Sequence, residues 1–126
     1  ERSWYGTSGV VSRIRPKRGY VAPPLDGVWA TAPFLHNGSV PTLETLLDST
    51  KRPLYWTRDY ASSALDRNHV GLVYEELDYG QAEAWSWEAE EIYDTTLPGH
   101  SAAGHYYSDN LSAADRGALI EYLKTL

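Results

Sequence analysis

The chain has 126 residues, enough for one modest hydrophobic core and therefore for a single domain. Its formal net charge of −6 argues against a nucleic acid or an anionic membrane surface as a partner, because the long-range field has the wrong sign. Without cysteine the chain has no disulfide, thiolate metal site or thiol nucleophile, and it lacks an apolar run near the ~18 residues of a membrane span.

The first third of the chain offers little regular periodicity. Residues 1–20 are predicted to form an irregular lead-in, and the Glu at position 1 suggests a processed chain or a piece of a longer polypeptide. Pro23 and Pro24 exclude a helix and favour extended neighbours. Asn37-Gly38 then predicts a turn.

A short helix is predicted directly after this turn. Leu43, Leu46 and Leu47 have the i, i+3, i+4 spacing of one apolar helix face. Thr42 is the predicted N-cap, and Glu44 suits the positive end of the helix dipole.

Residues 53–110 have weak periodicity. The stretches "LYWTRDY" and "HVGLVYEEL" predict short strands, "GQAEAWSWEAEEIY" is either a short helix or irregular, and "LPGHSAAGHYYSDN" is a turn-rich loop. At the end of the chain Ser112 and Asp115 form a capping pattern, which predicts a terminal helix over 112–126. With no linker or internal repeat, residues 1–126 are predicted to be one domain.

Histidines are the side chains best suited to bind a transition metal or haem in this cysteine-free chain. There are four of them, namely His36, His69, His100 and His105. No pair has the spacing of a helical zinc site, and each alone is also compatible with a hydrogen-bonding role in a loop.

Two stretches resemble one family. "PPLDGVWATAPFLHNGSVPTLETLL" is similar to the second-domain segment of bacterial di-haem c-type cytochromes, the superfamily of cytochrome c peroxidases and rubber oxygenases. "YDTTLPGHSAAGHYYSDNLSAADRGALIEYLKTL" resembles the end of the rubber-oxygenase-like branch. The resemblance implies a mainly α-helical fold with much irregular structure. It also implies the C-terminal fragment of a cytochrome c-like haem domain that lacks its C-x-x-C-H segment.

The resemblance implies cofactors that this chain shares with a partner. Haem c would be attached covalently to a segment outside the chain, and His105 would be the axial ligand of the electron-transfer haem, with His100 as the alternative. The backbone carbonyls of Thr31 and Pro33 would bind an inter-domain calcium ion, although tight packing of this turn explains the same sequence.

Two further residues acquire candidate roles from the resemblance. His36 would lie near the haem and orient the calcium turn or a propionate rather than bind iron. Trp29 would relay electrons between haems, unless it is an ordinary core tryptophan.

The implied function is that of the C-terminal segment of a di-haem cytochrome oxidoreductase, peroxidase- or oxygenase-like. The chain alone would not be catalytic, and its partner would be the haem-bearing remainder or another subunit. The expected location is the periplasm or the cell exterior. The alternative is a haem-less interaction or assembly subunit, which the absence of Cys and Met and the five Trp and ten Tyr favour.

Overall fold

The computed structural model describes residues 19–20 and 23–126. The predicted lead-in at 1–20 therefore lies almost wholly outside the described residues. In the described part the α-helices are α1 (Leu43–Leu47), α2 (Ser86–Ala89) and α3 (Ala113–Leu123), with 3-10 turns at Val28–Ala30 and Ser49–Lys51. The strands are β1 (Tyr55–Thr57), β2 (Leu65–Asp66), β3 (Gly71–Leu72), β4 (Glu75–Leu77) and β5 (Tyr93–Asp94).

The strands form two small antiparallel sheets. In the larger sheet β1 lies between β4 and β5, and Trp56 is opposite Glu76 on one side and Tyr93 on the other. The smaller sheet is the hairpin of β2 and β3, in which Leu65 pairs with Leu72. The strands predicted within "LYWTRDY" and "HVGLVYEEL" are confirmed.

The prediction of a mainly α-helical fold is wrong. In the described residues the three helices have 5, 4 and 11 residues, and two antiparallel sheets accompany them. Tyr, Trp, Thr and Val favour extended backbone, and frequent turn residues interrupt the middle of the chain before any long helix can form. The expectation of much irregular structure was correct.

Helix α1 begins as predicted. The Thr42 hydroxyl accepts a hydrogen bond from the Thr45 backbone N–H at 3.2 Å, which satisfies a donor at the helix start. The turn before β3 satisfies two more backbone donors at the start of α1, because the Val70 carbonyl accepts from the Leu43 N–H and the His69 carbonyl accepts from the Glu44 N–H. The hairpin thus closes the N-terminal end of α1.

Helix α3 confirms the predicted terminal helix. Ser112 is its N-cap, and the Ser112 side chain accepts from the backbone N–H of Asp115 at 3.1 Å. Its buried residues, Ile120 and Leu123, pack into a core that also contains Leu43 of α1. The other buried members of this core are Phe34, Val40, Leu47 and Val70. None of the helices in the described part of the chain has the length and apolar character needed to cross a membrane.

Candidate functional site

Residues 98–107, here called the histidine loop, carry two of the four histidines and contain no helix or strand. Gly99, Gly104 and His105 all have positive φ, of 87°, 95° and 55°. For a residue with a side chain this conformation costs about 1–2 kcal/mol. Such strain persists only where the surroundings hold the backbone in place.

Arg52 supplies much of that restraint. Its guanidinium donates to the carbonyls of Ala102 at 2.6 Å and Gly104 at 2.7 Å, and to that of His105 at 3.1 Å. The same group donates to two carbonyls of α1. One planar side chain therefore joins α1 to the strained part of the histidine loop.

The turn at 37–39 holds the beginning of the loop. The Asn37 amide donates to the carbonyls of Gly99 at 2.9 Å and Ser101 at 3.0 Å. The Ser39 hydroxyl donates to the same Ser101 carbonyl at 3.3 Å. The loop is thus tied on both sides of His100, and the two stretches that carried the family resemblance meet here.

The larger sheet supports this turn from beneath. Trp56 is buried, and its indole N–H donates to the Ser39 carbonyl at 3.2 Å. The Tyr93 ring stacks on Trp56 with a centroid distance of 5.2 Å, and its hydroxyl donates to the Asn37 carbonyl at 2.7 Å. The sheet, the turn and the loop therefore form one connected unit.

The two loop histidines have different environments. His105 has an exposed side chain and an edge contact with the Tyr107 ring at 5.1 Å. His100 is half-buried and tilted over Tyr93, and its Nδ1 is buried without a hydrogen-bond partner among the described residues. The imidazole of His105 is the more accessible to a group outside the chain.

The residues predicted to bind calcium lie at the surface. Thr31 and Pro33 are both exposed, and their carbonyl oxygens accept no hydrogen bond from the described residues. Over residues 19–20 and 23–126, no group of three or more His, Cys, Asp or Glu side chains is arranged to hold a metal ion. The turn at Thr31 and Pro33 presents carbonyl oxygens, which are donors that calcium accepts.

His36 and Trp29 are surface side chains. His36 is exposed and stacks on Tyr20 with a centroid distance of 4.1 Å. Trp29 is 45% exposed, so the alternative of a buried core tryptophan is wrong. Its indole lines a surface pocket of about 730 Å³ together with Leu65 and Lys124.

Several residues of this unit were not predicted from the sequence as functional. Arg52 and Trp56 belong to no stretch that carried the resemblance, and Tyr93 stands only at the first position of one. Apart from the two carbonyls of α1 that Arg52 binds, the hydrogen-bond partners of these three residues lie 17 to 56 residues away along the chain. Asn37 could have been found, because it stands inside the stretch that carried the resemblance.

Comparison with known proteins gives three matches. Residues 19–57 match the family model described as RoxA-like, cytochrome c-like. In Sinorhizobium fredii (strain NBRC 101917 / NGR234), "uncharacterized protein y4iJ" is 40% identical over 126 residues, which cover 90% of this chain and 19% of that protein. From the same organism, "uncharacterized protein y4iM" is 37% identical over 139 residues, which cover 95% of this chain and 30% of that protein.

This chain therefore spans less than a third of the length of either relative. The family match includes the turn at 37–39, Arg52 and Trp56, and it ends before the histidine loop. The match over residues 19–57 supports a cytochrome c-like family for this chain.

Proposed function

We propose that this chain supplies an axial histidine, His105, to a c-type haem that is attached to another segment. The observation that carries the proposal is an exposed imidazole on a backbone held in a strained conformation by Arg52. The cytochrome c-like match agrees with it. Because the chain has no cysteine, covalent attachment of the haem would have to occur elsewhere.

The donor set of the loop fits a haem iron. Imidazole is a common axial ligand, and the exposed ring of His105 can be reached from outside the chain. When bound, the haem would supply reversible one-electron redox chemistry. The role of His105 would be to occupy one axial coordination position. An occupied position favours electron transfer over substrate binding at that iron.

His100 is the alternative ligand, but its environment favours it less. Its buried Nδ1 has no partner among the described residues, and the ring packs against Tyr93. A ligand histidine usually donates its second ring N–H to an oxygen, which fixes the ring orientation. Neither His100 nor His105 shows such a contact in the described part of the chain, so the exposed ring of His105 is what favours it over the half-buried ring of His100.

The wider assembly is part of the same proposal. We expect a di-haem oxidoreductase of peroxidase- or oxygenase-like type in the periplasm or outside the cell. The partner of this chain would be the haem-bearing remainder or a separate subunit. The large unmatched share of both relatives leaves room for such a remainder.

A second candidate function is that of a haem-less assembly subunit. The observation that favours it is the exposure of Trp85, Trp87 and Tyr107, at 75%, 70% and 86%, since exposed aromatic side chains are typical of interaction surfaces. A Soret band that survives acid-acetone extraction of the protein purified from its source would exclude this candidate. The absence of such a Soret band would exclude the first candidate function, in which His105 binds a covalently attached haem.

Replacement of His105 tests the ligand assignment. In the assembled cytochrome, His105→Ala is expected to convert one haem from six-coordinate low-spin to five-coordinate high-spin, because the imidazole is removed. Absorption and electron paramagnetic resonance spectra measure this change. His69→Ala is a matched control, because His69 is also exposed but pairs with Asp66 outside the histidine loop. A change caused by His100→Ala instead would assign the ligand to His100.

We also propose that the carbonyls of Thr31 and Pro33 contribute to a calcium site and that His36 supports it without binding iron. Exposed carbonyls that accept no hydrogen bond from the described residues are suitable oxygen donors for this ion.

His36→Ala is therefore expected to leave both haem spectra unchanged and to raise the calcium concentration needed for activity about 10- to 100-fold. Calcium titration with inter-haem electron transfer as the readout measures the second effect. A changed Soret or near-infrared band in the mutant would instead make His36 an iron ligand.

A further inference from the structure

We propose that Arg52 is a positioning residue that keeps His105 on the haem iron by fixing the backbone of the histidine loop. This inference rests on the proposed ligation by His105 and adds the residue that maintains it. Arg52 does not touch the haem in this proposal. It acts through the carbonyls of residues 102, 104 and 105.

The first argument is the number and placement of its hydrogen bonds. All five acceptors are backbone carbonyls, two at the end of α1 and three in the histidine loop. The α1 carbonyls come from Thr45 and Leu46, where a helix leaves acceptors without an intrahelical donor. One side chain therefore satisfies both the end of the helix and the loop.

The second argument is that the bonded loop residues include the strained one, His105, and the glycine before it. Gly104 and His105 have φ of 95° and 55°, and the carbonyl of each accepts from Arg52. Without these bonds, His105 would be free to return to a common backbone conformation, and its imidazole would move with it. The strain and its restraint occur at the residue whose orientation the ligation requires.

The third argument is chemical specificity. A guanidinium presents five N–H donors in a rigid plane, whereas a lysine ammonium is a compact charge on a flexible stem. Burial lowers the pKa of Arg52 and the charge of Asp109 opposes this effect, but an arginine stays protonated at neutral pH. Arg52→Lys therefore keeps the positive charge and removes the planar set of N–H donors. It separates the contribution of the charge from that of the hydrogen bonds.

The expected consequence is a larger fraction of molecules in which His105 has left the iron. Cyanide binds a ferric haem only when an axial position is open, so its binding rate reports that fraction. His105→Ala identifies which kinetic phase of cyanide binding belongs to the haem that His105 binds. In the complete haem protein, Arg52→Lys should accelerate that phase by about tenfold. This corresponds to about 1.4 kcal/mol of lost restraint. Proteolytic cleavage within residues 98–107 should rise in parallel.

Arg58→Lys is the matched control, because Arg58 directly follows β1 and lies over the Tyr60 ring at 4.7 Å, outside the histidine loop. Its cyanide kinetics should equal those of the wild type. A far-UV circular dichroism spectrum that matches the wild type shows that the fold is kept. If Arg52→Lys does not accumulate as folded protein, Gly104→Ala strains the loop in open space and should also accelerate cyanide binding.

The outcomes separate this inference from the function on which it rests. Wild-type cyanide kinetics in Arg52→Lys, or in Gly104→Ala where that variant replaces it, would overturn the role of Arg52 and leave ligation by His105 intact. An unchanged spectrum in His105→Ala would overturn the ligation itself, and the role of Arg52 with it. Acceleration in Arg52→Lys together with wild-type kinetics in Arg58→Lys supports the inference.

Discussion

Gly71→Ala is expected to lower the free energy of unfolding by about 2–3 kcal/mol. A Cβ at this position would lie 2.3 Å from the Pro41 carbonyl oxygen and 2.6 Å from Thr42 Cα. Both are backbone atoms, so no flexible side chain can move aside. The hairpin would have to separate from the start of α1, where the Leu72 N–H now donates to the Pro41 carbonyl at 3.0 Å.

Hydrogen–deuterium exchange in the haem-bearing protein measures this effect, as faster exchange over residues 41–47 and 70–72. Gly117→Ala is the matched control, because Gly117 is exposed within α3 and a Cβ there would meet nothing within 4 Å. Removing a helix-interior glycine should stabilise the protein by about 0.5–1 kcal/mol. Equal effects of the two substitutions would contradict the close approach seen at Gly71.

Trp56→Ala is expected to cost about 3–5 kcal/mol, the range for removing a buried tryptophan or phenylalanine side chain. Trp56 is 3% exposed, and its loss would remove the stack against Tyr93 and the hydrogen bond to the Ser39 carbonyl. Because Ser39 is fully buried, that carbonyl would be left without this donor inside the protein.

The loss should also spread to the histidine loop, because Ser39 and Asn37 both bind it. Urea unfolding followed by Trp fluorescence and by the haem spectrum measures the change in stability. Trp85→Ala is the control, because Trp85 is 75% exposed and its removal should change stability by less than about 0.5 kcal/mol. A loss below 1 kcal/mol for Trp56→Ala would mean that the cavity collapses on substitution.

Local interactions account for the elements that were predicted correctly. The N-caps Thr42 and Ser112 act on backbone N–H groups three residues away, so the evidence for α1 and α3 lies within a few consecutive residues. The leucine spacing after Thr42 likewise reflects one turn of helix. Such local helix signals do not depend on the tertiary contacts of the rest of the chain.

The pairing of the strands into sheets depended on interactions that no local signal contains. β1 pairs with β5 across 37 positions, and Trp56 meets Tyr93 only because that register brings their rings together. The family resemblance implied a mainly helical chain, whereas in the described residues short strands form because each finds a partner. Strand formation depends on that pairing more than on intrinsic propensity.

The sequence by itself determined the composition, the absence of cysteine, the two capped helices and the turn-rich segment that carries His100 and His105. Only the tertiary structure decided which of these histidines has an exposed ring and what holds its backbone. Arg52 binds carbonyl oxygens that every residue possesses, so its acceptors leave no trace in the residue types of the loop. Contacts of a side chain with distant backbone are visible only once the chain is folded.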